Sequence, residues 1–219
     1  MNNTLDYIIW DINESEDELR AQLQHPEYFA DKVARLKPGS KRMLEVLAVR
    51  CALKHLMNGE EQKVLYDEHG APYLEGGPFL SISHTNGFAA VVVDEKDKVG
   101  IDIERLGTRV QRVVERYLTN SELLTLQLAA ERCDWNCRGI IDPMDLCLHL
   151  AWSAKEAAYK VLGPDYYDLQ NLTQVTHIDW LTHHLALSVA NRPKPLSIRI
   201  EATMDYVLAV CSGPIESRG

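Results

Sequence analysis

The chain of 219 residues contains no apolar run of the roughly 18–20 residues that a membrane-spanning helix requires. Residues 1–7 show no basic stretch that leads into an apolar one, so a secretory signal is not recognisable there. Hydrophobic residues nevertheless make up 46% of the chain, which is enough for an ordinary globular core. We therefore expect a cytoplasmic protein that does not bind membranes.

A disulfide pattern is also lacking. The chain has five cysteines, an odd number without the dense spacing of small secreted scaffolds, which favours reduced thiols over a disulfide framework. Cys51 and Cys211 stand in apolar surroundings and are expected in the core. A zinc site would have to use the set Cys133, Cys137, Cys147 and His149. This set lacks two closely spaced cysteine pairs, so its spacing disfavours zinc.

Positive charge is the third shortage, with 23 Lys and Arg against 32 Asp and Glu and a net charge of −9. This balance argues against general nucleic-acid binding, which needs a broad basic face. Seven of the basic residues are concentrated between Lys32 and Lys54, where Glu45 is the one acid and the net charge is +6. The cluster favours a specific anionic ligand, although a solvated helix face would look the same.

The hydrophobic pattern predicts an α+β protein with mainly antiparallel sheets. In the first half we expect a strand at 5–12, helices at 14–24 and 41–58, short strands at 63–66 and 79–82, and a hairpin of 88–93 with 99–104. The second half should contain helices at 108–117 and 144–162, a helix opened by a capping box of Thr119 and Glu122, and four strands between 173 and 211. The element order suggests two similar halves.

Two short runs carry the chemistry. In Gly100-Ile-Asp-Ile-Glu104, the alternation of a strand places Asp102 and Glu104 on one face. In Trp152-Ser-Ala-Lys-Glu-Ala-Ala-Tyr-Lys160, the helical period places Glu156 and Lys160 one turn apart. Three carboxylates suit Mg²⁺ shared with substrate phosphates, and an ammonium suits the phosphates. Each run alone could equally be a solvated strand or a salt-bridged helix.

Three further stretches complete a pattern: Gly70-Ala-Pro-Tyr-Leu74, Ser81-Ile-Ser-His84 and Arg116-Tyr-Leu-Thr-Asn-Ser-Glu122. Together with the two runs above, and in this order, they resemble the 4′-phosphopantetheinyl transferase superfamily over roughly residues 41–160. The similarity is closest to its longer, pseudo-dimeric type, which acts on synthase carrier domains. The resemblance implies two α/β halves, 1–100 and 101–219, related by a pseudo-twofold axis, with the active site and coenzyme A in the cleft between them.

The resemblance also assigns roles to individual residues. It implies Asp102, Glu104 and Glu156 as Mg²⁺ ligands, and Lys160 as a contact to the coenzyme pyrophosphate. It further implies coenzyme contacts from the set Lys41, Arg42, His84 and Lys155. In the expected reaction, a serine of an apo carrier protein attacks coenzyme A, receives 4′-phosphopantetheine and releases 3′,5′-ADP. Glu156, or a water that it orients, would accept the serine proton, and Lys160 would stabilise the developing charge.

The chain departs from the family pattern in two places. Ala71 stands where family members often carry lysine, which removes one cationic phosphate contact. The segment 131–143 is long for the family and is either a carrier contact or a tolerated surface insertion. Two other functions stay open, a Mg²⁺-dependent phosphodiesterase and a non-catalytic coenzyme- or carrier-binding relative. Because one chain holds both halves, we expect a monomer with coenzyme A and a carrier protein, not nucleic acid, as its partners.

Overall fold

The computed structural model describes residues 5–133, 135 and 141–213. The chain forms two compact units, the first ending at Ile101 and the second running from Asp102 to Gly213. Each unit contains antiparallel strands covered by helices, which confirms the predicted α+β class. The expected pseudo-twofold relation between the halves stays a prediction.

Within the described residues 5–101, the first unit contains a three-stranded sheet, a small hairpin, three α-helices and a 3₁₀ helix at Pro26–Tyr28. Its elements are β1 (Asp6–Asp11), α1 (Glu16–Ala21), α2 (Ala30–Val33), α3 (Lys41–Leu56), β2 (Val64–Tyr66), β3 (Pro72–Leu74), β4 (Phe79–Thr85) and β5 (Phe88–Asp94). The sheet has the order β1-β5-β4, and β2 pairs with β3. All of these pairings are antiparallel.

The core of this unit lies between α3 and the three-stranded sheet. Helix α3 begins where the Ser40 hydroxyl accepts a hydrogen bond from the Met43 amide at 3.3 Å, which satisfies one of the free donors of the first turn. Leu47 and Ala52 of this helix are fully buried and belong to this core. Cys51 belongs to the same core, as predicted, and burial raises the pKa of its thiol to about 12.

In the part of it that the structure describes, the second unit contains a five-stranded sheet and three α-helices. Strand β6 (Lys98–Arg105) crosses the boundary between the units. The other elements are α4 (Asn120–Glu131), α5 (Pro143–Leu162), α6 (Leu169–Leu172), β7 (Thr173–Asp179), β8 (His184–Val189), β9 (Leu196–Ala202) and β10 (Tyr206–Gly213), with 3₁₀ helices at Val110–Arg116 and Pro164–Tyr166. The sheet order is β6-β10-β9-β8-β7.

Strand β6 corrects one expectation. The sequence predicted that it forms a hairpin with β5, but β5 lies between β1 and β4, and β6 is an edge strand beside β10. The short turn between the two strands allows a hairpin without enforcing one, because strand pairing also depends on which sheet buries the side chains. Strand β6 therefore carries its side chains to the sheet on which α5 packs.

Helix α5 forms the centre of the second core, packed on β10, β9 and β8. Its capping is local: the Asp142 carboxylate accepts from the Met144 amide at 2.8 Å, and the helix ends at Gly163, whose φ is 92°. In β8 and β9 buried residues alternate with more exposed ones, which is the pattern of a sheet with one face in the core. Cys211 on β10 is buried there, as predicted.

Within the described residues, the helices are too short or too polar to cross a membrane.

Candidate active site

Asp102 and Glu104 lie two positions apart on β6, so their side chains belong to the same face of the strand. Ile101 and Ile103, the intervening residues, are almost completely buried. Asp102 is 8% exposed and Glu104 is half-buried. The strand therefore buries two isoleucines and presents two partly desolvated carboxylates, as the alternation predicted.

Glu156 and Lys160 lie one turn apart on α5, both half-buried. Small residues let this helix approach the sheet closely, because Ala154, Ala157 and Ala158 are fully buried beneath it. The helix axis is thereby brought near the strands while Glu156 and Lys160 emerge at the edge of the buried face. The local sequence thus explains both the closeness of the helix and the position of its charged pair.

The ammonium of Lys160 donates to Asp102 Oδ1 at 3.1 Å. This bond joins the two runs that the sequence singled out, across 58 positions of the chain. The structure therefore brings Asp102, Glu104, Glu156 and Lys160 together within the second unit. Their roles as metal ligands, base and phosphate contact stay predictions.

The carboxylates of this cluster influence one another. Burial is the main cause that raises the pKa of Glu156, and the nearby charge of Asp102 raises it further. Burial likewise raises the pKa of Glu104, with added repulsion from Asp102 and Glu156. Arg109 and Lys160 act in the opposite direction on this cluster. The site therefore concentrates negative charge that a cation would stabilise.

Arg109 is a residue that sequence reasoning missed. Its Nη1 lies 3.8 Å from Glu104 Oε2, and its side chain is 77% exposed. Nothing in the local pattern marks it, because it follows β6 in a loop and meets Glu104 only through the course of the chain. An exposed guanidinium at this distance contributes little to stability, but it partly neutralises the carboxylate.

The donor chemistry fits Mg²⁺ on the condition that phosphate oxygens and water complete the coordination of the ion. Among the described residues, no group of three or more His, Cys, Asp or Glu side chains is arranged to hold a metal by itself. Asp102 and Glu104 instead face the cationic side chains of Lys160 and Arg109. Mg²⁺ is usually bound by one or two carboxylates and completed by phosphate oxygens and water, so a ready-made protein cage is not required. Hard carboxylate oxygens in a cluster with excess negative charge suit that mode of binding.

A cavity of about 410 Å³ opens beside Glu156 in the same unit. Its wall includes Trp152, the exposed Tyr167, Arg109 and Arg116. The Trp152 ring packs edge-on against Tyr117 with 5.0 Å between the centroids, which fixes this wall. The cavity gives Glu156 access to a ligand that has both apolar and anionic parts.

Lys155 corrects a second expectation, because the motif comparison assigned it to cofactor binding. Lys155 and Glu122 are both fully buried, with 2.7 Å between Nζ and Oε1. The ammonium also donates to the backbone carbonyls of Tyr117 at 2.6 Å and of Leu169 and Thr173 at 3.0 Å each. An ammonium that is buried among these partners is not accessible to a cofactor. We therefore assign Lys155 to holding α5 in place within the core.

The sequence predicted only one role for Glu122, that of partner to Thr119 in the capping box. Its Oε2 accepts from the Thr119 amide at 2.8 Å, and its own amide donates to the Thr119 hydroxyl at 3.3 Å, which confirms the capping box. Its other oxygen accepts from the Val175 amide at 2.8 Å and from Lys155. A box motif predicts the first pair of contacts, but the second pair joins distant segments that share no sequence signal.

The cationic candidates of the first unit form a separate group. Arg42 contacts the imidazole of His84, which lies on β4, and donates to Glu45 Oε2 at 3.1 Å. The same Glu45 oxygen lies 3.0 Å from His84 Nδ1. Lys41 is exposed at the start of α3. Glu45, which sequence reasoning had counted only as an acid, therefore orients Arg42 and His84.

The zinc alternative finds no support in His149. Its Nδ1 lies 2.7 Å from the carbonyl of Asp145, and its Nε2 accepts from the amide of Gly107 at 3.2 Å. Both ring nitrogens are thus engaged by the backbone. Cys147 is fully buried, and burial raises the pKa of its thiol to about 12. Cys137 lies outside the described residues, as do residues 134 and 136–140 of the segment that was considered as an insertion.

Comparison with known proteins gives two results. The family model of the 4′-phosphopantetheinyl transferase superfamily matches residues 98–211, slightly more than half of the chain. A 4′-phosphopantetheinyl transferase, gsp, of Aneurinibacillus migulanus is 24% identical over 134 residues. That alignment covers 60% of this chain and 52% of the relative, so the chain spans about half the length of the curated relative it matches. The matched region contains β6 and α5 with the whole carboxylate cluster, and the chain belongs to the 4′-phosphopantetheinyl transferase superfamily.

Proposed function

We propose that the chain transfers the 4′-phosphopantetheine group of coenzyme A to a serine of an apo carrier protein, with Mg²⁺, and releases 3′,5′-ADP. One observation carries the proposal: β6 and α5 bring Asp102, Glu104, Glu156 and Lys160 into one cluster. Membership of the family and the name of the relative support the type of reaction.

Asp102, Glu104 and Glu156 would hold the Mg²⁺ ion. When bound, the ion would supply Lewis-acid stabilisation of the negative charge on the pyrophosphate. Lys160 would bind a pyrophosphate oxygen with the ammonium that now contacts Asp102. Its positive charge would stabilise the anion that develops on the leaving 3′,5′-ADP.

Glu156 would accept the proton of the carrier serine, directly or through a water that it orients. The serine oxygen forms a bond to the β-phosphorus of coenzyme A, and the bond from that phosphorus to the bridging oxygen breaks. The electron pair leaves with 3′,5′-ADP, and the proton goes to the Glu156 carboxylate. In the metal-free chain, burial and the charge of Asp102 raise the pKa of Glu156, and a bound Mg²⁺ would oppose that shift.

In the first unit, we propose Lys41, Arg42 and His84 as contacts to coenzyme phosphates. The Arg42 guanidinium and the His84 imidazole lie against each other, and Glu45 fixes them. A guanidinium offers several donors in one plane, which suits phosphate oxygens, and an imidazole adds another donor when its tautomer permits.

The test is a mass assay with a panel of apo carrier proteins, coenzyme A and Mg²⁺. We expect at least one carrier to gain the mass of one phosphopantetheinyl group, and Glu156→Gln to remove this activity without unfolding the protein. Glu60→Gln, which changes an exposed glutamate of the first unit, is the matched control and should keep the activity.

Other outcomes would point elsewhere. A Glu156→Gln rate within a factor of a few of the unmodified chain would show that the site is wrongly assigned. Release of 3′,5′-ADP without a carrier would indicate the phosphodiesterase. Calorimetric binding of coenzyme A without turnover on any carrier would indicate a binding relative.

A further inference from the structure

Arg50 on α3 is a buried cation whose hydrogen-bonding capacity is largely unused. Its side chain is 5% exposed. Among the described residues, its Nε and Nη1 have no hydrogen-bond partner. Its Nη2 contacts Tyr66 Oη at 3.5 Å, the outer limit of a hydrogen bond. Three N–H donors of one guanidinium are therefore open in the interior of the first unit.

Such an arrangement is costly without a ligand. A guanidinium keeps its charge under all ordinary conditions, so it cannot relieve the cost of burial by losing a proton. Buried donors without acceptors lose the hydrogen bonds that water would give them, and a charged group loses more than a neutral one. An oxyanion would compensate both losses, because its oxygens accept several hydrogen bonds and its charge neutralises the cation.

A second cation lies at the same place. The ammonium of Lys32 is 3.8 Å from the centroid of the Tyr66 ring, whose hydroxyl contacts Arg50. Tyr66 is 38% exposed, so its ring reaches from the buried guanidinium to the surface. Glu45, the one acid between Lys32 and Lys54, contacts Arg42 and His84. Among the described residues, neither Arg50 nor Lys32 forms an ion pair, so their charge is available to a ligand from solution.

We propose that Arg50, Tyr66 and Lys32 form a binding site for a phosphate monoester. Arg50 donates from Nε and Nη1 to the phosphate oxygens, and Lys32 contributes its charge at the entrance. Tyr66 turns aside to admit the ligand, which costs little because its contact to Arg50 is long. The site contains none of the carboxylates of the second unit and does not depend on the proposed transfer reaction.

The test is calorimetric titration of the full chain with inorganic phosphate at constant ionic strength. We expect binding to the unmodified chain, a loss of about tenfold or more in affinity for Arg50→Gln, and roughly twofold to fivefold for Lys32→Ala. Lys37→Ala removes an exposed charge from the same basic segment and should leave the affinity unchanged. Lys32 is exposed, so its variant tests the site even if Arg50→Gln does not fold.

Two results would overturn the proposal: absence of phosphate binding to the unmodified chain, or equal weakening by Lys32→Ala and Lys37→Ala, which would indicate a diffuse basic surface. Competition supplies a third: displacement of the phosphate by coenzyme A would assign Arg50 and Lys32 to the coenzyme contacts proposed above and overturn a separate site. Phosphate binding that persists in saturating coenzyme A supports the separate site.

Discussion

Replacement of Lys155 by methionine removes the charge at the centre of the second core while keeping a side chain of similar length. In the folded chain, the Lys155 ammonium is 2.7 Å from Glu122 and 2.6–3.0 Å from three backbone carbonyls. Burial lowers the pKa of Lys155, and the contact with Glu122 opposes that shift. The variant therefore leaves the Glu122 carboxylate buried without its cation and leaves three carbonyls without this donor.

Removal of one partner of a buried ion pair costs about 3–5 kcal/mol. For a chain of 150–250 residues, 1 kcal/mol corresponds to roughly 2–4 °C in melting temperature, so we expect a decrease of about 6–20 °C. Urea unfolding followed by circular dichroism would measure the free energy, and calorimetry the melting temperature. The cost is this large because Glu122 is fully buried and, among the described residues, keeps only the Thr119 and Val175 donors.

A double variant separates charge from packing. Lys155→Met combined with Glu122→Gln removes the unpaired charge as well, so it should recover part of the lost stability relative to Lys155→Met alone. If the free energy of unfolding of Lys155→Met is within about 1 kcal/mol of that of the unmodified chain, the substitution does not leave an unpaired buried charge, and the reasoning fails. A double variant no more stable than the single one would refute the assignment of the loss to the stranded carboxylate.

The remaining predictions concern the start of α4 and the carboxylate cluster. Thr119→Ala removes the capping box and should cost about 1 kcal/mol in urea unfolding, whereas Thr125→Ala inside the helix should cost less. The pKa of Glu156 is raised from its ordinary value of 4.5, so the metal-free folded chain loses stability as the pH rises from that value through the raised pKa. At pH 7, Glu156→Gln should therefore have a higher melting temperature than the unmodified chain, and below pH 4 the two melting temperatures should be the same. An equal difference in melting temperature at both pH values would contradict this.

Local patterns predicted most of the elements correctly. Strand alternation placed Asp102 and Glu104 on one face, and the helical period placed Glu156 and Lys160 one turn apart. The capping box of Thr119 was also recognised, because hydrogen bonds at helix ends involve residues only a few positions apart. These features depend on the backbone geometry of single elements, and a sequence contains that information directly.

Contacts between segments that are distant in the sequence could not be predicted from local patterns. The sequence placed β6 in a hairpin with β5 and assigned Lys155 to a cofactor, and both predictions were wrong. Neither the contact of Arg109 with Glu104 nor the open donors of Arg50 left a trace in the local pattern. Lys155 and Lys160 belong to the same motif, but one lies in the core and the other beside Asp102.

The order of residues was sufficient to predict the element types, the pairs of residues that share a face and the family resemblance, since these follow from short periods and ordered motifs. The packing of the folded chain was needed to show which charges are buried, which of them meet and which keep unused donors. Desolvation and ion pairing depend on distances between segments far apart in the chain, so the same lysine can fix a core or contact a ligand.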